Sequence, residues 1–344
     1  MPEAILEPEL PIVDPHHHLW DRSMAPPPTG PQHPFTTAIE PAQRYLLDEL
    51  LADTGSGHNV IATVFLECGA FYKADGPVEL RSVGETEFVN GVAAMSASGL
   101  YGPTRACAGI VSRADLTLGD GVKAVLEAHD RVGGGRFRGI RNSASWDADP
   151  EVLGPLNRMQ AGHYLRDDFR AGFRHLAPMG FSFDAWMLEP QLPDLIDLAR
   201  AFPDTTIVLD HVGTPIGRGV YTGKLDERFG VWRENIRELA KSPNVVVKLG
   251  GLAMAFCNFP SFLAEPRVPS EQLAKEWGPY IETCIEAFGV DRCMFESNFP
   301  VDMGSCTYAV LWNAFKRIAA GASTDEKTAL FSGTATKVYR LTLP

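Results

Sequence analysis

Short apolar runs that stop at polar residues recur along the chain, and longer segments with apolar positions three or four apart separate most of them. The runs cover residues 10–13, 59–66, 105–111, 137–142, 181–187, 205–210, 244–249 and 293–295. They are rich in β-branched and aromatic residues, as strands are. Helical spacing is clearest over 226–241, where Phe229, Trp232, Ile236 and Leu239 share one face. Helices are also expected over 41–51, 85–98, 121–131, 192–202, 269–288, 307–320 and 325–341, with mixed helix and loop over 149–176.

Strands separated by helices need crossover connections and a parallel sheet buried on both faces. Eight such units close most simply as an α/β (β/α)8 TIM barrel, a fold that accommodates 344 residues as one domain. An open doubly wound sheet is the alternative, but no G-x-G-x-x-G or P-loop follows any strand. The Pro-rich stretch 24–35 follows a single strand, so it reads as a surface excursion and the whole of 1–344 as one domain.

Composition narrows the function without naming it. The hydrophobic fraction of 45% and charged fraction of 22% are those of a globular protein. With 31 Lys and Arg against 43 Asp and Glu, the net charge is -12 and no basic run interrupts it, which disfavours a nucleic-acid partner. No stretch has the length or flanks of a signal or a membrane span, so no membrane partner and a cytoplasmic location are expected. The six cysteines are scattered without C-x-x-C spacing, as reduced thiols would be, and Cys107 and Cys293 fall in strands as core residues.

The chemistry gathers where strands end. Asp14-Pro15-His16-His17-His18 follows the first strand, and alternation puts His16 and His18 on one side and His17 on the other. In a TIM barrel the residues beyond strand C-termini converge on one mouth. Here they are His16, His18, Glu67, Arg141, Asn142, Asp184, Trp186, His211, Lys248, Glu296 and Asn298. His16, His18 and Glu67 supply two nitrogens and one oxygen for one divalent ion, with Zn2+ the expected one. Glu67 has a second outlet, a pair with Arg141 or Lys248. Arg141 and Lys248, with Trp186 beside them, are the expected binders of a small anionic substrate. His211 is a ligand or a proton carrier.

Those motifs resemble the amidohydrolase superfamily: Asp14-Pro15-His16-His17-His18, Arg138-Gly139-Ile140-Arg141, Asp210-His211-Val212-Gly213, Val247-Lys248-Leu249-Gly250-Gly251 and Phe295-Glu296-Ser297-Asn298-Phe299-Pro300. The likeness is to its "amidohydrolase 2" branch, which includes lactonases and 2-pyrone-4,6-dicarboxylate hydrolases. It implies a TIM barrel and hydrolysis of a lactone or related carbonyl compound, in aromatic-compound or sugar catabolism.

Two positions depart from that family. Its eighth strand presents an Asp as general base where this chain has Asn298, and an amide takes no proton from water at neutral pH. The base is then sought in Glu296, Asp302 or His211. The fifth strand has Asp184 and Trp186 where fuller metal sets carry a His. A metal-free route, with Arg, Lys and His donors stabilising the oxyanion, therefore stays open. The leading expectation is hydrolysis of a carboxylated lactone. A nonoxidative decarboxylase and a catalytically silent anion-binding barrel are the alternatives, and a homo-oligomer is compatible with either.

Overall fold

The computed structural model describes residues 3–25 and 30–343. Pro26, Pro27 and Pro28 of the expected surface excursion lie outside them. Eight parallel strands form one sheet in chain order: β1 Pro11–His17, β2 Asn59–Leu66, β3 Arg105–Ser112, β4 Phe137–Ser143, β5 Ser182–Trp186, β6 Ile207–Leu209, β7 Val245–Leu249 and β8 Cys293–Phe295. β8 meets β1 through a bridge between His17 and Phe299 and through Asn298 N–H donating to His16 O at 2.9 Å, so the barrel is nearly closed. One main helix follows each strand: α1 Leu47–Thr54, α2 Val83–Ala97, α3 Val122–Val132, α4 Asp167–Phe173, α5 Leu192–Ala201, α6 Leu225–Leu239, α7 Ser270–Phe288 and α8 Tyr308–Ile318.

Alternation along the strands sorts the core into two layers. Phe65, Ile110, Ile140, Phe183, Ile207, Leu209, Val245, Val247 and Phe295 belong to the large cluster shared with the helices. Val13, Ala62, Val64, Leu66, Val111, Val208, Val246 and Met294 form a separate cluster inside the barrel, closed by Ala335, Tyr339 and Leu341 from the chain's end. The inner apolar layer thus lies at one end, and the residues two further along each strand face the other.

Three local differences from expectation have physical causes. β1 runs on past Val13 through Pro15 to His17, with its register with β2 shifting between Asp14 and His17. A proline, which has no N–H to donate, is tolerated at such an irregularity. Within the helix expected over 41–51, Arg44 and Tyr45 pair antiparallel with Trp20 and Asp21; α1 starts only at Leu47. The terminal segment 325–341 is broken into two short α-helices around a π-turn at Ala329–Gly333.

Candidate active site

Asp210, Lys248 and Glu296 each lie two residues beyond an inner residue, respectively Val208, Val246 and Met294. Asp184 takes the same side of β5, opposite in parity to the outward Phe183 and Ala185. Together with Arg141 they make a polar floor above the apolar layer. Lys248 is fully buried, with Nζ 2.8 Å from Asp184 Oδ2 and 3.1 Å from Asp210 Oδ1. Tyr339 O–H donates to the same Asp184 oxygen at 2.6 Å.

Burial alone would lower the Lys248 ammonium, but Asp184 and Asp210 outweigh it and hold the group above its ordinary value. Burial pushes Asp184 up to about 6, against the pull of Lys248. For Asp210 the attraction of Lys248, His211 and Arg141 overcomes burial, and its carboxyl sits below the usual value.

His16 sits at the centre of this floor. Its Nδ1 is 2.6 Å from Glu296 Oε2, 3.7 Å from Asp210 Oδ1 and 3.2 Å from Lys248 Nζ; its Nε2 is 3.3 Å from Arg141 Nη1. Its ring centroid is 5.0 Å from that of His18 and 4.6 Å from that of His211. Burial, with Lys248 close by, holds His16 well below its ordinary pKa; burial does the same to His18. Both are therefore neutral imidazoles at pH 7, the form that binds metals. His17 points away, against Thr63 Oγ1 at 2.8 Å, as the alternation requires.

His211 is held by two contacts with one carboxylate oxygen. Its backbone N–H donates to Glu296 Oε1 at 3.1 Å, and Nδ1 lies 2.7 Å from the same atom. The backbone bends sharply to allow this, with positive φ at His211, Val212 and Thr214. Two glycines after β7 leave the room: a Cβ on Gly250 would come within 2.4 Å of Glu296 O, and one on Gly251 within 2.2 Å of His211 Nδ1. The Gly250-Gly251 pair is thus a clearance for the Glu296–His211 contact.

Among the described residues, the trio of possible metal ligands is His16, His211 and Glu296, whose ligand atoms lie within 4.8 Å of one another, all buried. It shares His16 with the expected set of His16, His18 and Glu67 and has His211 and Glu296 in place of the other two. Glu67 takes its second outlet: its Oε1 is 2.9 Å from Arg141 Nε, while Arg141 Nη2 donates to Glu67 O at 2.5 Å. His18 has Nδ1 on Leu66 O at 2.9 Å. Lys248 is corrected, since it is sealed beneath the cavity with two carboxylates instead of facing a substrate.

Asp302 is buried away from the cavity wall, with Oδ1 accepting from Asn298 Nδ2 at 2.8 Å. Burial pushes it up to about 7. His175 pairs with Asp120 at 2.8 Å, outside the site.

A cavity of about 210 Å3 opens above the floor. His18, Glu67, Arg141, His211 and Asn298 form its base, with Trp20, Phe35, Trp186 and Met254 among the apolar walls. Asp210 was absent from the expected site although it stands next to His211; its parity with Val208 was the available signal. The wall residues Arg22, Arg113 and Arg158 were also missed. Arg113 lies two residues beyond inner Val111, whereas loop residues Arg22 and Arg158 have no periodicity to betray them.

A family model described as Amidohydrolase matches residues 13–341. The protein y4mH of Sinorhizobium fredii is 33% identical over 342 residues, which cover 97% of this chain and 99% of that one. An L-fucono-1,5-lactonase of Burkholderia multivorans is 29% identical over 213 residues, 61% of this chain and 65% of that one. A solved amidohydrolase structure from Burkholderia multivorans with bound Zn superposes with a TM-score of 0.72 at 24% identity, over 96% of this chain and 99% of that one. With its eight-stranded barrel, its strand-end histidines and a match that spans nearly its full length, the chain belongs to the amidohydrolase family.

Proposed function

We propose that the protein hydrolyses a small lactone or related cyclic ester. The observation that carries this reading is the Glu296–His211 contact at the base of an aromatic-walled cavity. With Nδ1 facing the carboxylate at 2.7 Å, an N–H there donates to Glu296 and Nε2 is the ring nitrogen turned to accept a proton. His211 would take a proton from water as the water oxygen bonds to the carbonyl carbon. It would return that proton to the ring oxygen as the carbon–oxygen bond breaks, giving a hydroxy acid. Arg141, oriented by Glu67, is placed to stabilise the oxyanion. Trp186 and Trp20 form apolar walls for the ring, and Asn298 can donate or accept a hydrogen bond there. Asp302 holds Asn298 in place. The likeness to an L-fucono-1,5-lactonase supports the substrate class.

The donor set also fits a divalent cation. Four carboxylates, Glu67, Asp184, Asp210 and Glu296, meet only two cations, Arg141 and Lys248. Glu296 Oε2 faces His16 Nδ1, itself a possible ligand, at 2.6 Å, and Asp210 Oδ2 has Arg141 Nη1 only at 3.6 Å, beyond hydrogen-bond reach. An ion held by His16, His211 and Glu296 would acidify a bound water and polarise a carbonyl.

Metal analysis of the purified protein, paired with a screen of sugar and carboxylated lactones, tests the proposal. Lactone opening that is lost on His211→Asn supports it. Carbon dioxide release from hydroxybenzoates with no lactone opening replaces it by a decarboxylase.

A further inference from the structure

Arg141 and Lys248 are already neutralised by Glu67, Asp184 and Asp210. The cavity nevertheless has cationic walls. Arg113, next to the end of β3, and Arg158, in the loop after β4, both line it, and neither has a carboxylate within ion-pair distance among the described residues. Among the described residues, the only side-chain hydrogen bond of either is Arg158 Nε donating to Pro155 O at 3.1 Å. Other arginines of the chain also lack an ion pair, but Arg113 and Arg158 are the two that line both this cavity and the one beside it.

The same two arginines also line a second cavity, which continues outward past Ser143 and is edged by His163 and Thr117. Its one acidic side chain, Asp115, accepts from Thr117 N and Oγ1 at 2.9 and 2.6 Å. Its third arginine, Arg166, is paired with Asp168. Asp115 keeps its charge, so where the two cavities share Arg113 and Arg158 two unpaired positive charges face one unpaired negative charge, and the balance is positive.

We propose that Arg113 and Arg158 form an anion subsite that holds a carboxylate or phosphate on the substrate, at the end remote from the scissile carbonyl. This rests on the reading that the first cavity binds the substrate. It moves the anion-binding role from the buried floor to the wall and predicts a substrate whose charge and reacting carbonyl are at opposite ends. Guanidinium forks suit either anion, since each offers two parallel N–H donors.

Citrate and inorganic phosphate serve as binding probes, read by calorimetry on the full chain. The expected result is binding of at least one probe, weakened about tenfold or more in the Arg113→Gln/Arg158→Gln double variant. Arg200→Gln, which removes a charge from a surface pair with Glu238, should leave binding unchanged. Citrate alone assigns the subsite to carboxylates, phosphate alone to phosphoryl groups. No binding of either probe, or equal binding by the double variant, overturns the proposal.

A matched pair of lactones, one carboxylated and one neutral, separates the two readings. If both are opened and the double variant raises KM equally for each, the subsite falls and the hydrolase stands. If neither is opened but citrate still binds through these arginines, the hydrolase falls and the subsite stands.

Discussion

The floor and the wall of the cavity both carry basic residues, yet they use them in opposite ways. Lys248 is fully buried and matched to Asp184 and Asp210, so its charge is consumed in holding the floor together, while Arg141 is held by Glu67 at the cavity base. Arg113 and Arg158 are exposed and unmatched, so theirs remain available to a ligand. Basic residues at a barrel mouth are therefore not equivalent, and burial is the variable that separates structural charge from recognition.

The sharpest way to break the contrast is to attack the group between the two regions. His211→Asn removes the proposed base and should lower kcat by about 10²–10⁴-fold with little change in Tm. Steady-state kinetics beside a thermal melt would show it.

Next in size, Lys248→Met leaves Asp184 and Asp210 buried without their ammonium and should cost about 3–5 kcal/mol in urea unfolding. Adding Asp184→Asn should recover part of that loss, because it removes one stranded charge.

A smaller, graded effect belongs to Glu85. It accepts from Cys68 and Ala70 backbone N–H groups at 3.1 and 2.8 Å and braces the loop after β2. Burial, with Glu67 nearby, pushes its carboxyl up to about 8 from 4.5. Between those values the folded chain keeps a proton that the unfolded chain has lost, so this group's contribution falls as pH rises from about 4.5 to about 8. Glu85→Gln should flatten that part of a stability–pH curve.

The smallest effect is on the wall itself. Arg113→Gln should change unfolding free energy by no more than about 0.5 kcal/mol, since an exposed, unpaired side chain leaves nothing stranded. A loss comparable to that of Lys248→Met would erase the distinction between floor and wall.

Much of this was legible along the chain. Short apolar runs rich in β-branched and aromatic residues located all eight strands, helical spacing located most helices, and the strand-end rule brought His16, Arg141, Asp184, His211, Lys248 and Glu296 to one mouth. The placement of Glu67 was left between two partners because a strand end specifies a direction and not a neighbour. Asp210 escaped notice for a related reason: its role depends on Lys248 and Arg141, which arrive from other strands. The function of Gly250 and Gly251 was equally hidden, since the atoms they clear belong to β8 and to the turn after β6.

What the sequence determined by itself is the order of strands and helices and the face on which each side chain emerges, because these follow from local backbone geometry. Which carboxylate meets which cation, which imidazoles share Glu296 and which arginines are left unpaired were decided only by barrel closure. Coulomb and desolvation energies depend on distances of a few ångströms between residues far apart in the chain, and only the folded barrel sets those distances.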